Sequence, residues 1–220
     1  HLYFLHIMVL VYAALPVTRA FLRRADEKTI RYALALWAFS GVLLPTARAL
    51  GLLFWLDGIP VQWALSLTWS SIGCTALGWR LRKKPLRAGT SIALVLLGFA
   101  ICYVGTAVLS IRKGTLAPQL LEGLSPGPLM MAIGIFCLCE VLAPKLPNVL
   151  QRTAETFGKA SFGIYLAHEF ALSAFRVFGV TTWFASPLIS IPALAFACLL
   201  LTFMGVFVMS KIPIVRRWLI

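Results

Sequence analysis

The amino-acid sequence predicts an all-α bundle of about seven transmembrane helices, and three observations support this fold class. Of the 220 residues, 60% are hydrophobic and only 12% are charged, whereas about a quarter of the residues in soluble domains are charged. The mean hydropathy is +0.91. The apolar residues form stretches close to the roughly 20 residues that a helix needs to cross a bilayer. Such a chain has too little polar surface to cover a soluble globule, so we expect a lipid environment.

Seven stretches approach or reach the length of a membrane span. In chain order they run over Leu2–Arg19, Arg31–Phe54, Gln62–Trp79, Ser91–Ile111, Pro128–Pro144, Ala160–Phe178 and Pro187–Ser210. Helices are expected in all seven, because an open strand would leave backbone groups unpaired in hydrocarbon. Turn formers follow the second and fourth stretches, in LDGIP (Leu56–Pro60) and EGLSPGP (Glu122–Pro128), and they predict loops there.

Positive charges are sorted between alternate loops. Sixteen of the twenty Lys and Arg residues lie on one side if the seven spans alternate. These are Arg19, Arg23, Arg24, Lys28, Arg31, Arg80, Arg82, Lys83, Lys84, Arg87, Lys145, Arg152, Lys159, Lys211, Arg216 and Arg217. Because cytoplasmic loops carry an excess of Lys and Arg, the pattern predicts His1 outside and Ile220 in the cytoplasm. Topology thus accounts for the net charge of +13, and no basic groove with interleaved aromatic residues predicts a nucleic-acid partner.

The sixth stretch, ASFGIYLAHEFALSAFRVF, carries polar residues on one face. At about 100° per residue, five of them fall within one sector of about 100°. They are Ser161, Tyr165, His168, Glu169 and Arg176. Ionisable residues inside a membrane are costly, and they are functional candidates by default. The alternative is a structural network, in which His168 is neutral and Glu169 is protonated or pairs with Arg176 two turns on.

Other candidate residues lie in the first two stretches. His1 and His6 point about 140° apart on a helix, so at most one of them easily faces a given cavity. Arg48 suits an anionic or sugar group, but it equally suits contact with lipid headgroups. All five cysteines lie in apolar stretches, and Cys137 and Cys139 point about 160° apart. The cysteines predict neither a metal site nor a disulfide framework.

Four segments carry motifs that occur together, in this order, in one family. The segments are HLYFLHIMVLVYAALPVTR, WALSLTWSSIGCTALGWRLRKK, GTLAPQLLEGLSPGPLMMAIGIFCL and ASFGIYLAHEFAL. They resemble the HLWFL span, the small-residue span with a basic end, the Ser-Pro loop with the span after it, and the S-x-G-I-Y-x-x-H span of the integral-membrane acyltransferase 3 family. The chain looks most like bacterial O-acetyltransferases of surface glycans.

The resemblance implies an enzyme of the bacterial inner membrane, with residue 1 on the periplasmic side. It implies transfer of an acetyl or similar acyl group from cytoplasmic acetyl-CoA to a hydroxyl of a surface glycan or lipid-linked saccharide. The expected catalytic residues are His168, His1 and Tyr165. Candidates for substrate binding are Tyr3, Arg48, Glu169 and Arg176. Residues 1–220 are expected to form one acyltransferase-like domain, the C-terminal part of a protein of roughly ten spans.

Two other function classes fit the same residues. In a transporter or flippase, the polar residues of the sixth stretch would relay protons or contact a solute. In a scaffold protein without its own ligand, they would satisfy one another inside a dry bundle. A second half that repeats these spans would favour transport, whereas an intramembrane His about eleven residues after an Arg or Lys would favour the enzyme.

Overall fold

The computed structural model of the chain describes residues 3–52 and 62–211. All long elements in these ranges are helices and none is a strand, so the predicted all-α fold is confirmed. We number the helices α1 (Tyr3–Arg24), α2 (Glu27–Ala49), α3 (Leu67–Lys83), α4 (Ala88–Lys113), α5 (Pro126–Leu142), α6 (Asn148–Val177) and α7 (Pro187–Met209). Short 3₁₀ turns lie at Pro118–Leu120, Ala143–Lys145 and Thr182–Phe184.

Five of the described helices are long and apolar enough to cross a membrane. They are α1, α2, α4, α5 with its 3₁₀ extension to Lys145, and α7. Helix α3 has 17 residues, which is short for a span. Helix α6 has 30 residues, but it begins at Asn148, well before the predicted start at Ala160, and its first part is polar. Several spanning helices fit the predicted multi-pass protein, and the count of seven stays a prediction.

The chain divides into two compact units. The N-terminal unit covers Tyr3–Lys145 and contains α1 to α5. In this unit α1 and α2 pack on α3, and α4 packs along α5. The described part of the C-terminal unit, residues 146–211, is built on the helix pair α6 and α7. The single domain expected over residues 1–220 stays a prediction.

An N-cap explains why α2 begins at Glu27 and not at the predicted Arg31. Asp26 has extended backbone geometry, and its carboxylate accepts a hydrogen bond from the Thr29 backbone N–H at 3.1 Å. This bond satisfies one of the N–H groups that a helix start leaves without a partner. Hydrogen bonding from Thr29 lowers the pKa of Asp26 below its ordinary value of 3.8. The Asp26 carboxyl is therefore charged at neutral pH. Its contribution to the stability of the helix is lost only as the pH falls below 3.8, through the lowered pKa.

Glycines bring α4 and α5 into backbone contact. A Cβ atom added at Gly98 would lie 2.6 Å from the Gly127 carbonyl oxygen. One added at Gly134 would lie 2.5 Å from the Ser91 carbonyl oxygen. The two pairs run in opposite directions along the chain, so the helices are antiparallel. Small residues at such contacts let membrane helices pack closely, where apolar side chains alone give no driving force.

Helix α2 contains a π-helical turn over Phe39–Leu43. Such a turn replaces the ordinary i to i+4 bonds with i to i+5 bonds, and nearby carbonyl groups here accept bonds from outside the helix. The Leu65 backbone N–H donates to the Ser40 carbonyl at 2.9 Å. The Ser70 hydroxyl of α3 donates to the Gly41 carbonyl at 3.3 Å. The π-helical turn is therefore tied to the chain that leads into α3 and to α3 itself.

Trp37 joins α2 to α3 just before this turn. Its side chain is buried, and its indole Nε1–H donates to the Ser70 carbonyl oxygen at 2.8 Å. Gly73 makes room for the ring, because a Cβ atom there would lie 2.2 Å from indole atoms. A buried indole thus has both its apolar contact and its hydrogen bond.

The Trp37→Phe variant should have a lower free energy of unfolding than the native chain. The buried hydrogen bond to Ser70 is lost, and such bonds contribute about 0.5–1.5 kcal/mol net. Thermal and denaturant unfolding in detergent micelles would measure the difference. Trp63→Phe is the matched control, because Trp63 is 59% exposed. An equal loss in both variants would contradict a specific role for the bond.

Most basic residues of the N-terminal unit gather at one end. Helix α1 ends at Arg24, and α2 begins nearby at Glu27. Arg80, near the end of α3, donates to one Glu27 carboxylate oxygen from Nε (3.0 Å) and from Nη2 (2.6 Å). Helix α4 starts directly after Arg87, and the antiparallel α5 leads to Lys145 at the same end. The predicted basic residues from Arg19 to Arg31 and from Arg80 to Arg87, together with Lys145, therefore share one end of this unit, as alternating spans require.

The side of the membrane that this basic end faces stays a prediction. His1 and Ile220, whose locations were predicted, both lie outside the described residues.

Candidate functional site

The predicted polar residues of the sixth stretch lie on one face of α6, as expected. We call Ser161, Tyr165, His168, Glu169 and Arg176 the polar face. Tyr165, His168 and Glu169 are half-buried, whereas Ser161 and Arg176, toward either end, are exposed. The Ser161 hydroxyl donates to the Gly158 carbonyl at 2.7 Å within the helix. The middle of the face is thus partly shielded.

Helix α7 packs against a different side of α6. Ala160, Gly163 and Ala171 are the buried residues of α6. A Cβ atom at Gly163 would lie 2.8 Å from Val206 Cγ1 of α7, so glycine sets the close approach of the two helices. At about 100° per residue, this side is centred more than about 100° from the polar face. Helix α7 therefore does not cover the polar face.

Two contacts fix the position of His168. Its Nδ1 lies within hydrogen-bond distance of the Tyr165 carbonyl oxygen one turn earlier. The rings of Tyr165 and His168 also lie side by side, with centroids 5.6 Å apart and planes inclined by 31°. A carbonyl oxygen can only accept, so a neutral imidazole that donates from Nδ1 to Tyr165 has the lone pair of Nε2 available. This tautomer is the one that a base acting through Nε2 requires.

Glu169 and Arg176 form an ion pair along the helix. Arg176 Nη2 lies 3.7 Å from Glu169 Oε1, and the two side chains are 69% and 29% exposed, respectively. The sequence left open whether Glu169 is protonated or paired with Arg176, and the structure shows the pair. A pair with so exposed a partner adds little stability. The pair joins a carboxylate on the residue next to His168 to a guanidinium eight residues beyond His168, about 12 Å along the helix axis.

The remaining predicted site residues belong to the N-terminal unit or lie outside the described residues. Tyr3 is the first described residue of α1, and its side chain is 65% exposed. Arg48 is exposed near the end of α2. His1 lies outside the described residues. Within either unit, the residues that the structure brings together are therefore those of the polar face.

A line of small polar residues on α7 was not predicted. Ser190, Cys198 and Thr202 are buried and follow each other at multiples of four residues. The Cys198 thiol lies 3.8 Å from the His168 carbonyl oxygen, so this line contacts the backbone below the polar face. Thr202 donates to the Cys198 carbonyl at 2.7 Å. The spacing of four residues was visible in the sequence, but small uncharged residues do not stand out in an apolar helix.

A cavity with polar and apolar lining lies between α6 and α7, toward their basic ends. It has a volume of about 340 Å³, and its polar lining residues are Thr156, Lys159, Ser210 and Lys211. The two ammonium groups suit an anion such as a phosphate, whereas the two hydroxyl groups already donate to carbonyl oxygens of their own helices at 2.8 and 2.6 Å. Lys159 precedes His168 by nine positions on the same helix, which is about 14 Å at 1.5 Å per residue. Helix α6 therefore carries both His168 and Lys159, which lines an anion-compatible cavity.

Comparison with known proteins gives one positive result. The model of the acyltransferase 3 family, described as an acyltransferase domain, matches residues 1–210. No curated protein and no solved structure matches the chain significantly.

Proposed function

Because the chain belongs to the acyltransferase 3 family, we propose that it is a membrane-bound O-acyltransferase whose reaction uses the polar face of α6. The acyl donor is acetyl-CoA on the cytoplasmic side of a bacterial inner membrane. The acceptor is a hydroxyl group of a surface glycan or a lipid-linked saccharide. The observation that carries this proposal is the half-buried His168, held with Nδ1 against the Tyr165 carbonyl and with Nε2 able to accept a proton.

In this reaction His168 acts as the general base. Nε2 takes the proton of the acceptor hydroxyl, and the oxygen attacks the thioester carbonyl carbon. The carbon–sulfur bond breaks, and the CoA thiolate leaves and recovers the proton from the imidazolium. General base catalysis is typically worth about 10²- to 10⁴-fold. The acetyl group ends as an oxygen ester on the acceptor.

A positively charged group on the same helix as His168 would stabilise the negative charge that develops on the thioester carbonyl oxygen. Arg176 is the candidate on the same helix, where Glu169 holds its guanidinium at 3.7 Å. A cation placed at a developing oxyanion stabilises it without reorganisation during the reaction. Tyr165 positions the imidazole through its carbonyl. Arg48, Tyr3 and His1 stay predictions from the sequence, because Arg48 and Tyr3 belong to the N-terminal unit and His1 lies outside the described residues.

The cavity beside Lys159 and Lys211 supports binding of the donor. Its two ammonium groups would hold phosphates of CoA at the basic end of the C-terminal unit. The thioester would then extend along α6 toward His168. This arrangement takes the acyl group from one side of the membrane to the polar face.

Inverted membrane vesicles from bacteria that produce the chain would test the proposal. We expect [¹⁴C]acetyl-CoA outside the vesicles to give label in the saccharide fraction, released by mild alkali as expected for an oxygen ester. Vesicles without the chain are the control. Label at the control level would contradict acyl transfer. Uptake of labelled saccharide without acetylation would instead support the transporter alternative.

A further inference from the structure

An apolar cavity of about 370 Å³ lies between α1, α2 and α3 of the N-terminal unit. Its deep wall includes the buried side chains of Leu22, Ile30 and Trp37. Its mouth includes Val17, which is 74% exposed, and Trp69, which is 57% exposed. Apolar residues at the mouth of a cavity in a membrane protein open it to lipid. The volume lies at the lower end of the range for small-molecule pockets, about 300–1,000 Å³.

The polar groups that line this cavity are already satisfied within the protein. The Thr18 hydroxyl donates to the Ala14 carbonyl at 3.0 Å. The Trp37 indole donates to the Ser70 carbonyl at 2.8 Å. A cavity without available polar partners does not hold ordered water well, and it favours an apolar occupant. A hydrocarbon chain is such an occupant.

Positively charged residues lie between this cavity and the basic end of the unit. Ala76 lines the cavity, Arg80 follows it four residues later on the same side of α3, and Lys84 is the C-cap residue directly after the helix. Arg24 lies three residues after the lining residue Phe21 on α1.

These cations differ in whether a carboxylate neutralises them. Arg80 is paired with Glu27 at 2.6 Å. Arg24 and Lys84 are exposed, and neither forms an ion pair with a carboxylate in residues 3–52 and 62–211. The end of the cavity therefore presents two cations that are complementary to an anion.

We propose that this cavity binds an anionic phospholipid, with one acyl chain between α1, α2 and α3 and the phosphate near Arg24 and Lys84. The apolar wall favours the acyl chain of the lipid, and the cations favour its anionic headgroup. Basic pockets between membrane helices are typical sites for anionic lipid headgroups. This site is independent of the polar face of α6 and does not rest on the proposed acyl transfer.

Native mass spectrometry of the full chain in detergent would test the site. Dioleoyl phosphatidylglycerol and dioleoyl phosphatidylcholine, which share their acyl chains, are the two probes. We expect tighter retention of phosphatidylglycerol. The double variant Arg24→Gln with Lys84→Gln should weaken it by about fivefold for each cation removed, about 25-fold in total, with phosphatidylcholine unchanged. Arg112→Gln with Lys113→Gln, at the other end of α4, removes the same charge and should change neither lipid.

A cavity-filling variant tests the chain separately from the headgroup. Ala76→Phe should lower retention of both lipids, and circular dichroism would verify its helix content. If Ala76→Phe fails to fold, the charge variants decide the result alone. Equal binding of the two lipids, or phosphatidylglycerol binding unchanged in the Arg24 and Lys84 variant, would overturn the proposal. Displacement of phosphatidylglycerol by millimolar inorganic phosphate would also overturn it, because the site would then be for a free anion.

Discussion

Replacing His168 with alanine should lower the rate of acetyl transfer by about 10²- to 10⁴-fold, the usual contribution of a general base. The variant loses the imidazole that Tyr165 positions through its carbonyl oxygen. The loss should appear in kcat more than in the KM for acetyl-CoA, since His168 is not part of the cavity that would hold the CoA phosphates. Initial rates with [¹⁴C]acetyl-CoA, at several donor concentrations, would measure both constants.

The matched control for this variant is His6→Ala. His6 is exposed on α1, so the same change of side chain there should leave the rate near that of the native chain. The protein level in the membrane and the thermal stability of both variants should be compared first. A His168→Ala protein that folds and turns over at the native rate would remove His168 from the mechanism, even if the chain is an acyltransferase.

Replacing Gly98 with alanine should destabilise the N-terminal unit by about 1–3 kcal/mol, the usual cost of overpacking a close contact. The added Cβ atom would lie 2.6 Å from the Gly127 carbonyl oxygen and 2.8 Å from Met131 Cγ. Met131 can move, but the Gly127 backbone can only yield if α4 and α5 separate. Unfolding in detergent micelles, followed by circular dichroism, would measure the free-energy change.

Gly89→Ala is the control for this prediction. Gly89 lies on the same helix, and a Cβ atom there meets nothing within 4 Å. Alanine is a better helix former than glycine, so this variant should be as stable as the native chain or slightly more stable. Similar losses in both variants would show that the contact between α4 and α5 is looser than the structure indicates.

The polar face of α6 was predictable because its signal is local. Helical geometry alone places Tyr165, His168 and Glu169 on one side, and the pairing of Glu169 with Arg176 was one of two stated alternatives. The apolar stretches likewise predicted the helices, since an apolar run in hydrocarbon has few other conformations. The start of α6 was missed, because the polar segment from Asn148 has no apolar stretch to mark it.

Contacts between distant helices were not predictable in the same way. The bond from Trp37 to Ser70 and the pair of Arg80 with Glu27 depend on which sides of two helices meet. In a lipid environment nearly every side of a helix is apolar, so the periodic pattern that reveals the packed side of a soluble helix is weak. The basic run from Arg80 was therefore interpreted chiefly as a topology anchor, with a nucleotide phosphate as a second partner, although Arg80 also joins α2 to α3.

The π-helical turn at Phe39–Leu43 accommodates one extra residue in α2. Deleting one residue there would restore a regular α-helix, and the residues beyond it would keep their direction, because a π turn with the extra residue rotates the chain about as much as an α turn without it. Trp37, before the turn, and Arg48, after it, would both stay on their sides of the helix. The loss of a single codon would thus remove the carbonyl bonds to Leu65 and Ser70 without turning the guanidinium.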